Sequence, residues 1–109
     1  MEAVQDAYML RVYLGETDKV GRHAAYKAIV HKLRERGIWG ATVTRGLYGF
    51  GKKSVLHAAS PLRLSQDLPI VVEAVDSRQK IEAVIAEIAP MVKGGLIVTV
   101  PVKAYVRLG

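Results

Sequence analysis

The sequence contains no cysteine at all among its 109 residues. Disulfides, thiolate metal sites and cysteine nucleophiles are therefore excluded. The longest apolar stretch, near residues 96–100, is far too short to cross a bilayer. The first six residues carry two acids and lack the basic and then apolar pattern of a signal peptide. Together these absences predict a cytoplasmic protein.

Carboxylates are also missing from one long internal segment, residues 36–66, which lies between Glu35 and Asp67. The chain as a whole has a formal net charge of +6, and scattered lysines on a solvated surface are the ordinary reason for such a value. Here the positive charges inside the acid-free segment make a local field, so we expect an anionic partner for it. Those charges are Arg36, Arg45, Lys52, Lys53 and Arg63.

Two halves of the chain repeat one hydrophobic pattern, which predicts strand, helix and strand twice over. Strand-like alternation or apolar runs occupy residues 8–14, 41–47, 68–75 and 96–106, the last possibly broken at Pro101. Helical spacing of apolar residues occupies residues 26–33 and 81–88. The length suits one domain, so we expect a single domain over residues 8–109. We expect residues 1–7 to form a flexible N-terminus.

Local signals predict where the helices begin and end. Gly37 is placed for a left-handed C-terminal cap of the first helix, with apolar Ile38 for the accompanying contact. Asp76 is the expected N-cap of the second helix, with Gln79 as its reciprocal partner. Pro90 lacks a backbone donor, so the second helix ends or kinks there.

The element order predicts an α+β fold, a ferredoxin-like βαββαβ sandwich with an antiparallel four-stranded sheet. Right-handed crossovers place both helices on the same face of that sheet. The opposite face, which includes Val71 and Val75, is then apolar and open, and such a face usually marks an interface. We therefore expect a homo-oligomer. Glu73, within the same strand, is interpreted as part of a structural ion pair across that interface rather than as a general base.

The segment from Arg45 to Ser54 is rich in glycine. Gly46, Gly49 and Gly51 allow positive φ angles and close backbone approach to an anion; a hinge or bulge at a strand end is the alternative. The segment fits G-x-x-x-x-G-K, but Lys53 stands where a P-loop needs Ser or Thr, and the domain is too small.

The sequence gives less support to two other functions, RNA binding and catalysis. The glycine-rich segment resembles an RNA-recognition RNP1 motif with one residue inserted, but it follows the wrong strand, and Tyr13 is the single stacking aromatic expected on the first strand. RNA binding is kept as an alternative, although nucleic acid is not the expected partner. Serines and histidines show no catalytic or metal-binding spacing. No enzymatic activity is expected.

Several motifs together resemble the PII-like family filed as domain of unknown function 190, which is related to the nitrogen regulatory PII signalling proteins. The resemblance covers nearly the whole chain, roughly residues 8–106. The motifs are Tyr13-Leu14-Gly15-Glu16-x-Asp18-Lys19, Gly37-Ile38-x-Gly40-Ala41-Thr42-Val43-x-Arg45-Gly46, Gly49-Phe50-Gly51 and Leu64-Ser65-x-Asp67-Leu68-Pro69.

This resemblance implies a trimer that binds an adenine nucleotide, or a similar anionic metabolite, in clefts between subunits. It implies signalling through the loop over residues 49–61 and offers Gly51, Lys52 and Arg107 as nucleotide-site candidates. The phosphate loop of PII proteins is shortened here to residues 91–95, and a second C-terminal arginine is missing. The full set of expected ligand-binding residues is Arg45, Gly49, Gly51, Lys52, Lys53, Lys93, Gly94 and Arg107.

The resulting hypothesis is a regulatory, ligand-sensing protein. An adenine nucleotide is the ligand to expect, no other cofactor is assigned, and no metal site is expected. An alternative is a regulatory module of a membrane transporter such as a fluoride exporter, because family members resemble regulators found beside such channels. RNA binding is the second alternative.

Overall fold

The computed structural model describes residues 1–51, 57–58 and 67–106. One antiparallel sheet contains four long strands, which are β1 (Glu2–Gly15), β2 (Ala41–Arg45), β3 (Pro69–Ser77) and β4 (Leu96–Val106). Their order across the sheet is β2-β3-β1-β4. The two helices are α1 (Ala25–Glu35) and α2 (Arg78–Ile88). This is the predicted α+β, ferredoxin-like βαββαβ arrangement.

Both helices pack on one face of the sheet, since they contact each other and share one buried cluster with it, as the sequence predicts from right-handed crossovers. The core-facing positions of β3 alternate strictly with half-buried ones along the strand. Helix α1 contributes Ala25, Ile29 and Leu33, at helical spacing, to the same apolar cluster. The other members of the buried cluster are Leu10, Val12, Leu14, Ile38, Ile70, Val72, Ala74, Ile81, Val84 and Ile88.

The end of α1 confirms the predicted glycine cap. Gly37 has a φ of 72°, its N–H donates to Arg34 O at 3.0 Å, and the Ile38 N–H donates to Leu33 O at 3.1 Å. This pair of bonds is the Schellman motif. Ile38 is buried against the core, so the cap also turns the chain inward towards β2.

The start of α2 corrects the predicted N-cap. Ser77, not Asp76, is the N-cap, and its hydroxyl accepts a long hydrogen bond from Lys80 N at 3.4 Å. Asp76 occupies a core-facing position of β3 and is 1% exposed. Its carboxylate accepts hydrogen bonds from Ser77 N at 2.6 Å and Trp39 N at 3.1 Å. Asp76 therefore ties the chain after α1 to the beginning of α2.

Two strand boundaries differ from the prediction. β1 begins at Glu2 rather than at residue 8, because residues 2–4 pair with the distal end of β4, from Ala104 to Val106. A register shift follows between Val4 and Ala7. β2 ends at Arg45, two residues early, because its partner β3 begins only at Pro69.

The structure accommodates Pro90 and Pro101 without breaking the fold. α2 ends at Ile88 and a single 3₁₀ turn follows over Ala89–Met91, as expected at Pro90. β4 continues through Pro101, which pairs in register with Tyr8. β4 is an edge strand of the sheet, where a missing donor is tolerated. Within the described ranges, neither helix is long and apolar enough to cross a membrane.

The face of the sheet away from the helices is open and largely apolar. Its centre is an ion pair between Arg11 Nε and Glu73 Oε2, 3.0 Å apart and about two-fifths exposed. Glu73 therefore pairs within its own chain, and not across an interface as the sequence suggested. Apolar neighbours in register around this pair are Met9, Tyr13, Val71, Val75, Leu96, Val98 and Val100.

Candidate functional site

A pocket of about 380 Å³ opens where three separate turns of the chain meet. The turns are the one after β1, the segment of Phe50 and Gly51, and the turn that precedes β4. The volume falls within the usual range of small-molecule sites. Its lining residues are Tyr13, Leu14, Gly15, Asp18, Phe50, Gly51, Asp67, Pro69, Ile70, Lys93, Gly94, Gly95 and Leu96.

The turn after β1 is held by two carboxylates. Asp18 Oδ2 accepts a hydrogen bond from Gly15 N at 2.9 Å, and Asp67 Oδ1 accepts one from Thr17 N at 3.0 Å. The Glu16 N–H donates to Leu68 O at 2.9 Å. These bonds fasten the end of β1 to the residues just before β3, and they fix both carboxylates in the wall of the pocket.

The turn before β4 supplies a cation and a close backbone approach. Lys93 is exposed, and Gly94 has a φ of 76°, which a side chain rarely adopts. A β-carbon on Gly95 would overlap Tyr13 O and lie 2.8 Å from Val92 Cγ1. Glycine at position 95 thus allows this turn to pack directly against β1 beside the pocket.

The third wall follows β2. Tyr48–Gly49 pairs with His57–Ala58 in a short antiparallel ribbon, so the loop after β2 has a regular base that the sequence did not indicate. Gly49 has a φ of 155°, and a β-carbon there would lie 3.3 Å from Pro69 Cγ. Immediately beyond the ribbon, Phe50 is 72% exposed and lines the pocket.

Three of the predicted site residues line the pocket, namely Gly51, Lys93 and Gly94. Gly49 lies next to it in the ribbon. Arg45 is not among the lining residues, because its guanidinium is paired with Glu16 Oε2 at 2.5 Å. Lys52, Lys53 and Arg107 lie outside the described residues, so their assignment stays a prediction.

The structure also changes the electrostatic interpretation of the site. The segment over residues 36–66 has no acid in sequence, yet acids from elsewhere reach its surroundings. Glu16 pairs with Arg45, while Asp18 and Asp67 line the pocket together with Lys93. The described lining therefore carries two carboxylates and one cation, so its charge is mixed rather than uniformly basic.

The sequence interpretation missed the roles of Tyr13, Gly15, Asp18, Asp67 and Pro69. A signal was present, since all five belong to the motifs that carry the family resemblance. Spacing along the chain could not show that the motifs meet in space. The described residues hold no group of three or more potential metal ligands.

Solved structures with the same arrangement show which fold this chain has. The chain is similar to CPII of Thiomonas intermedia K12, a nitrogen regulatory PII-like protein bound to ADP, AMP and bicarbonate, with a TM-score of 0.67 and 16% identity. The match covers 90% of this chain and 87% of that one. It is also similar to a putative PII-like signaling protein of Thermus thermophilus, with a TM-score of 0.56, 15% identity and coverage of 97% and 93%. The fold is therefore PII-like.

The family follows from the sequence match. A family model for DUF190, described as "Uncharacterized ACR, COG1993", matches residues 7–104. UPF0166 protein MJ1524 of Methanocaldococcus jannaschii is 36% identical over 100 residues, which cover 91% of this chain and 92% of that protein. The chain belongs to the DUF190 family, and the resemblance seen in the sequence is confirmed.

Proposed function

We propose that this chain is a PII-like regulatory protein that binds an adenine nucleotide or a similar anionic metabolite in the pocket between the Phe50–Gly51 segment and the Lys93–Gly95 turn. One observation carries the proposal: three of the predicted ligand-binding residues, Gly51 on one segment and Lys93 and Gly94 on a distant one, line a single cavity. Exposed Phe50 and Leu96 offer apolar surface that a bound ring would cover.

The chemistry of the pocket suits a binding site better than a catalytic one. Its polar groups are a lysine, two carboxylates already bonded to backbone N–H groups, and a glycine turn. No nucleophile with a neighbouring base lies among the described lining residues. CPII of Thiomonas intermedia K12, which shares this fold, has been solved bound to ADP and bicarbonate, and this supports a nucleotide as the first ligand class to test.

The signal is proposed to leave through residues 49–61, which begin at the pocket wall. A ligand in contact with Phe50 and Gly51 contacts the base of this loop directly, so the bound and free states can present the loop differently to a partner. The partner is proposed to be a membrane transporter or another protein. Co-purification of that partner should require residues 49–61 and should change when ligand is added.

The assembly is proposed to be a homotrimer in which the open face of the sheet is buried. The apolar residues around the Arg11–Glu73 pair form a contiguous patch of the kind that marks an interface. The same arrangement does not favour the RNA-binding alternative. An RNA-recognition domain places stacking aromatics at the centre of this face, where this chain has an ion pair flanked by valines.

Isothermal titration with ATP, ADP, AMP and cyclic nucleotides tests the binding proposal. Wild-type protein should bind at least one of them with a dissociation constant below about 1 mM, or about −4 kcal/mol. Lys93→Ala should weaken that binding about tenfold, since it removes a charge-assisted contact. Lys52→Ala and Arg107→Ala test the two predicted residues outside the described ranges.

The matched control is Lys27→Ala, which removes an exposed lysine of α1 that does not line the pocket. It should leave every dissociation constant unchanged. Binding weaker than millimolar for all nucleotides would refute the nucleotide assignment. Equal losses in Lys93→Ala and Lys27→Ala would show that only general charge is involved, and would remove the pocket from the proposal.

A further inference from the structure

Each of the two carboxylates in the pocket wall has only one oxygen in a hydrogen bond with the described part of the chain. Asp18 accepts a hydrogen bond from the Gly15 N–H, and Asp67 accepts one from the Thr17 N–H. The second oxygens, Asp18 Oδ1 and Asp67 Oδ2, accept no hydrogen bond from the described part of the chain. Both side chains are half-buried and line the cavity, so these two oxygens are acceptors available to a ligand.

Two carboxylates impose a condition on any ligand of this pocket. A small, purely anionic ligand would bring negative charge close to both of them, with Lys93 as the one cation in the described lining. Charge repulsion at contact distances, where water is partly excluded, weakens such binding. A ligand with hydrogen-bond donors at the carboxylates gains charge-assisted bonds instead.

The rest of the lining indicates what else a ligand would contact. Apart from the two carboxylates and Lys93 the lining side chains are mostly apolar, and Tyr13, Phe50 and Leu96 are 37%, 72% and 58% exposed. Large apolar side chains exposed around a cavity lose water contact when a flat ring lies against them. The pocket therefore combines groups of both charges with a largely apolar lining.

We propose that Asp18 and Asp67 act as specificity-determining residues that select anionic ligands carrying hydroxyl or amino hydrogen-bond donors next to a heteroaromatic ring. The ligand's anionic group lies at Lys93 and its donors lie at the two carboxylates. Nucleoside phosphates have this chemistry, whereas pyrophosphate and dicarboxylates lack the donors. The inference rests on the proposed function, because it concerns the same pocket.

The first experiment compares two probes on two variants. ADP and pyrophosphate are titrated into wild-type protein, Asp67→Asn and Asp18→Asn. Asparagine keeps an oxygen for the Thr17 or Gly15 N–H but removes the charge. ADP should bind about tenfold more weakly to each variant, the equivalent of about 1.4 kcal/mol, whereas pyrophosphate should bind more tightly because the repulsion is reduced.

Opposite responses to the two probes separate selection by charge from damage to the fold. A variant that merely loosens the turn after β1 weakens both probes together, and that result would overturn the inference. ADP binding that is unchanged in both variants would also overturn it while leaving the proposed function intact. Wild-type protein that binds neither probe would remove both the proposed function and this inference.

A second measurement uses wild-type protein alone and so does not depend on any variant folding. 2′,3′-Dideoxy-ADP lacks the ribose hydroxyls, and inosine diphosphate lacks the exocyclic amino group of ADP. At least one of them should bind about tenfold more weakly than ADP, and that one identifies the donor. If both bind as tightly as ADP, neither the ribose hydroxyls nor the exocyclic amino group contributes to binding at the carboxylates, and that result would overturn the proposal.

Discussion

Gly15 and Asp67 lie so close together that a β-carbon on Gly15 would be 2.5 Å from Asp67 Oδ1 and 3.0 Å from Oδ2. Real contacts of a β-carbon with oxygen do not become this short. The glycine is therefore what allows the Asp67 carboxylate to reach the Thr17 N–H. This contact joins the end of β1 to the residues before β3 and sets one wall of the pocket.

Replacing Gly15 should accordingly damage both stability and binding. Gly15→Ala forces the Asp67 carboxylate away from the Thr17 N–H, and losing a hydrogen bond to a charged acceptor costs about 1–3 kcal/mol. We expect a lower urea midpoint with an unchanged slope, together with weaker nucleotide binding. Gly40→Ala is the control, since a β-carbon there meets nothing within 4 Å. Equal midpoints for the two variants would contradict the close packing at Gly15.

The buried carboxylate of Asp76 supports a second prediction. It is 1% exposed, bonds to the Trp39 and Ser77 N–H groups, and lies 3.4 Å from Lys80 Nζ. Asp76→Ala would leave two backbone donors without their acceptor, and each unsatisfied group costs about 1–3 kcal/mol. We expect a loss of about 2–4 kcal/mol in the free energy of unfolding, measured by urea denaturation.

The conservative variant distinguishes acceptor loss from a simple change of volume. Asp76→Asn keeps one oxygen acceptor, so it should lose clearly less stability than Asp76→Ala. Asp6→Ala, at an exposed position of β1, should change the midpoint little. If Asp76→Ala is no worse than Asp6→Ala, the network between Trp39 and Ser77 does not stabilise the fold.

The ion pair between Arg36 and Glu87 predicts a defined pH dependence. Arg36 Nε and one terminal nitrogen donate to the two Glu87 oxygens at 2.7 and 2.5 Å. Hydrogen bonding by Arg36 lowers the pKa of Glu87 below its ordinary value of 4.5. Because the folded state holds the proton less tightly, the pair stabilises the protein above pH 4.5, and this contribution is lost as the pH falls further.

The measurement is the difference in urea midpoint between wild type and Glu87→Gln as a function of pH. Wild type should be more stable at about pH 7, and the difference should shrink to nothing as the pH falls below 4.5. High salt at neutral pH should reduce it as well, since both side chains are partly exposed. A difference that stays constant from about pH 7 to about pH 3 would show that the charge of Glu87 contributes nothing.

The fold could be predicted because the sequence signals for its helices involve residues that are close together along the chain. Helical spacing at Ile29 and Leu33, and the Gly37 cap, depend on residues within a few positions of one another. The N-cap of α2 could not be decided in this way, since Asp76 and Ser77 are both good capping residues. The alternation of β3 turns Asp76 towards the core and leaves Ser77 at the helix start, which only the register of the strand reveals.

The site was harder to predict because its parts are distant along the chain. The family resemblance offers Gly51, Lys93 and Gly94 as members of one site, and in the structure all three line the same pocket. The part that Asp18 and Asp67 play depends on the hydrogen bonds that they accept from the backbone N–H groups of Gly15 and Thr17, respectively. An acid-free segment in sequence therefore did not mean an acid-free site.

The open face of the sheet gives a last prediction, on assembly. Val75 lies on this face opposite Met9 and is half-buried in the isolated chain. If copies of the chain associate through the face, Val75→Lys places a charge in an apolar contact, which is costly without a partner. We expect wild type to have the mass of a trimer by light scattering and Val75→Lys to shift towards the monomer. His31→Lys, which adds a charge at an exposed position of α1, should keep the wild-type mass. A monomeric wild type, or a Val75→Lys variant with unaltered mass, would count against this interface.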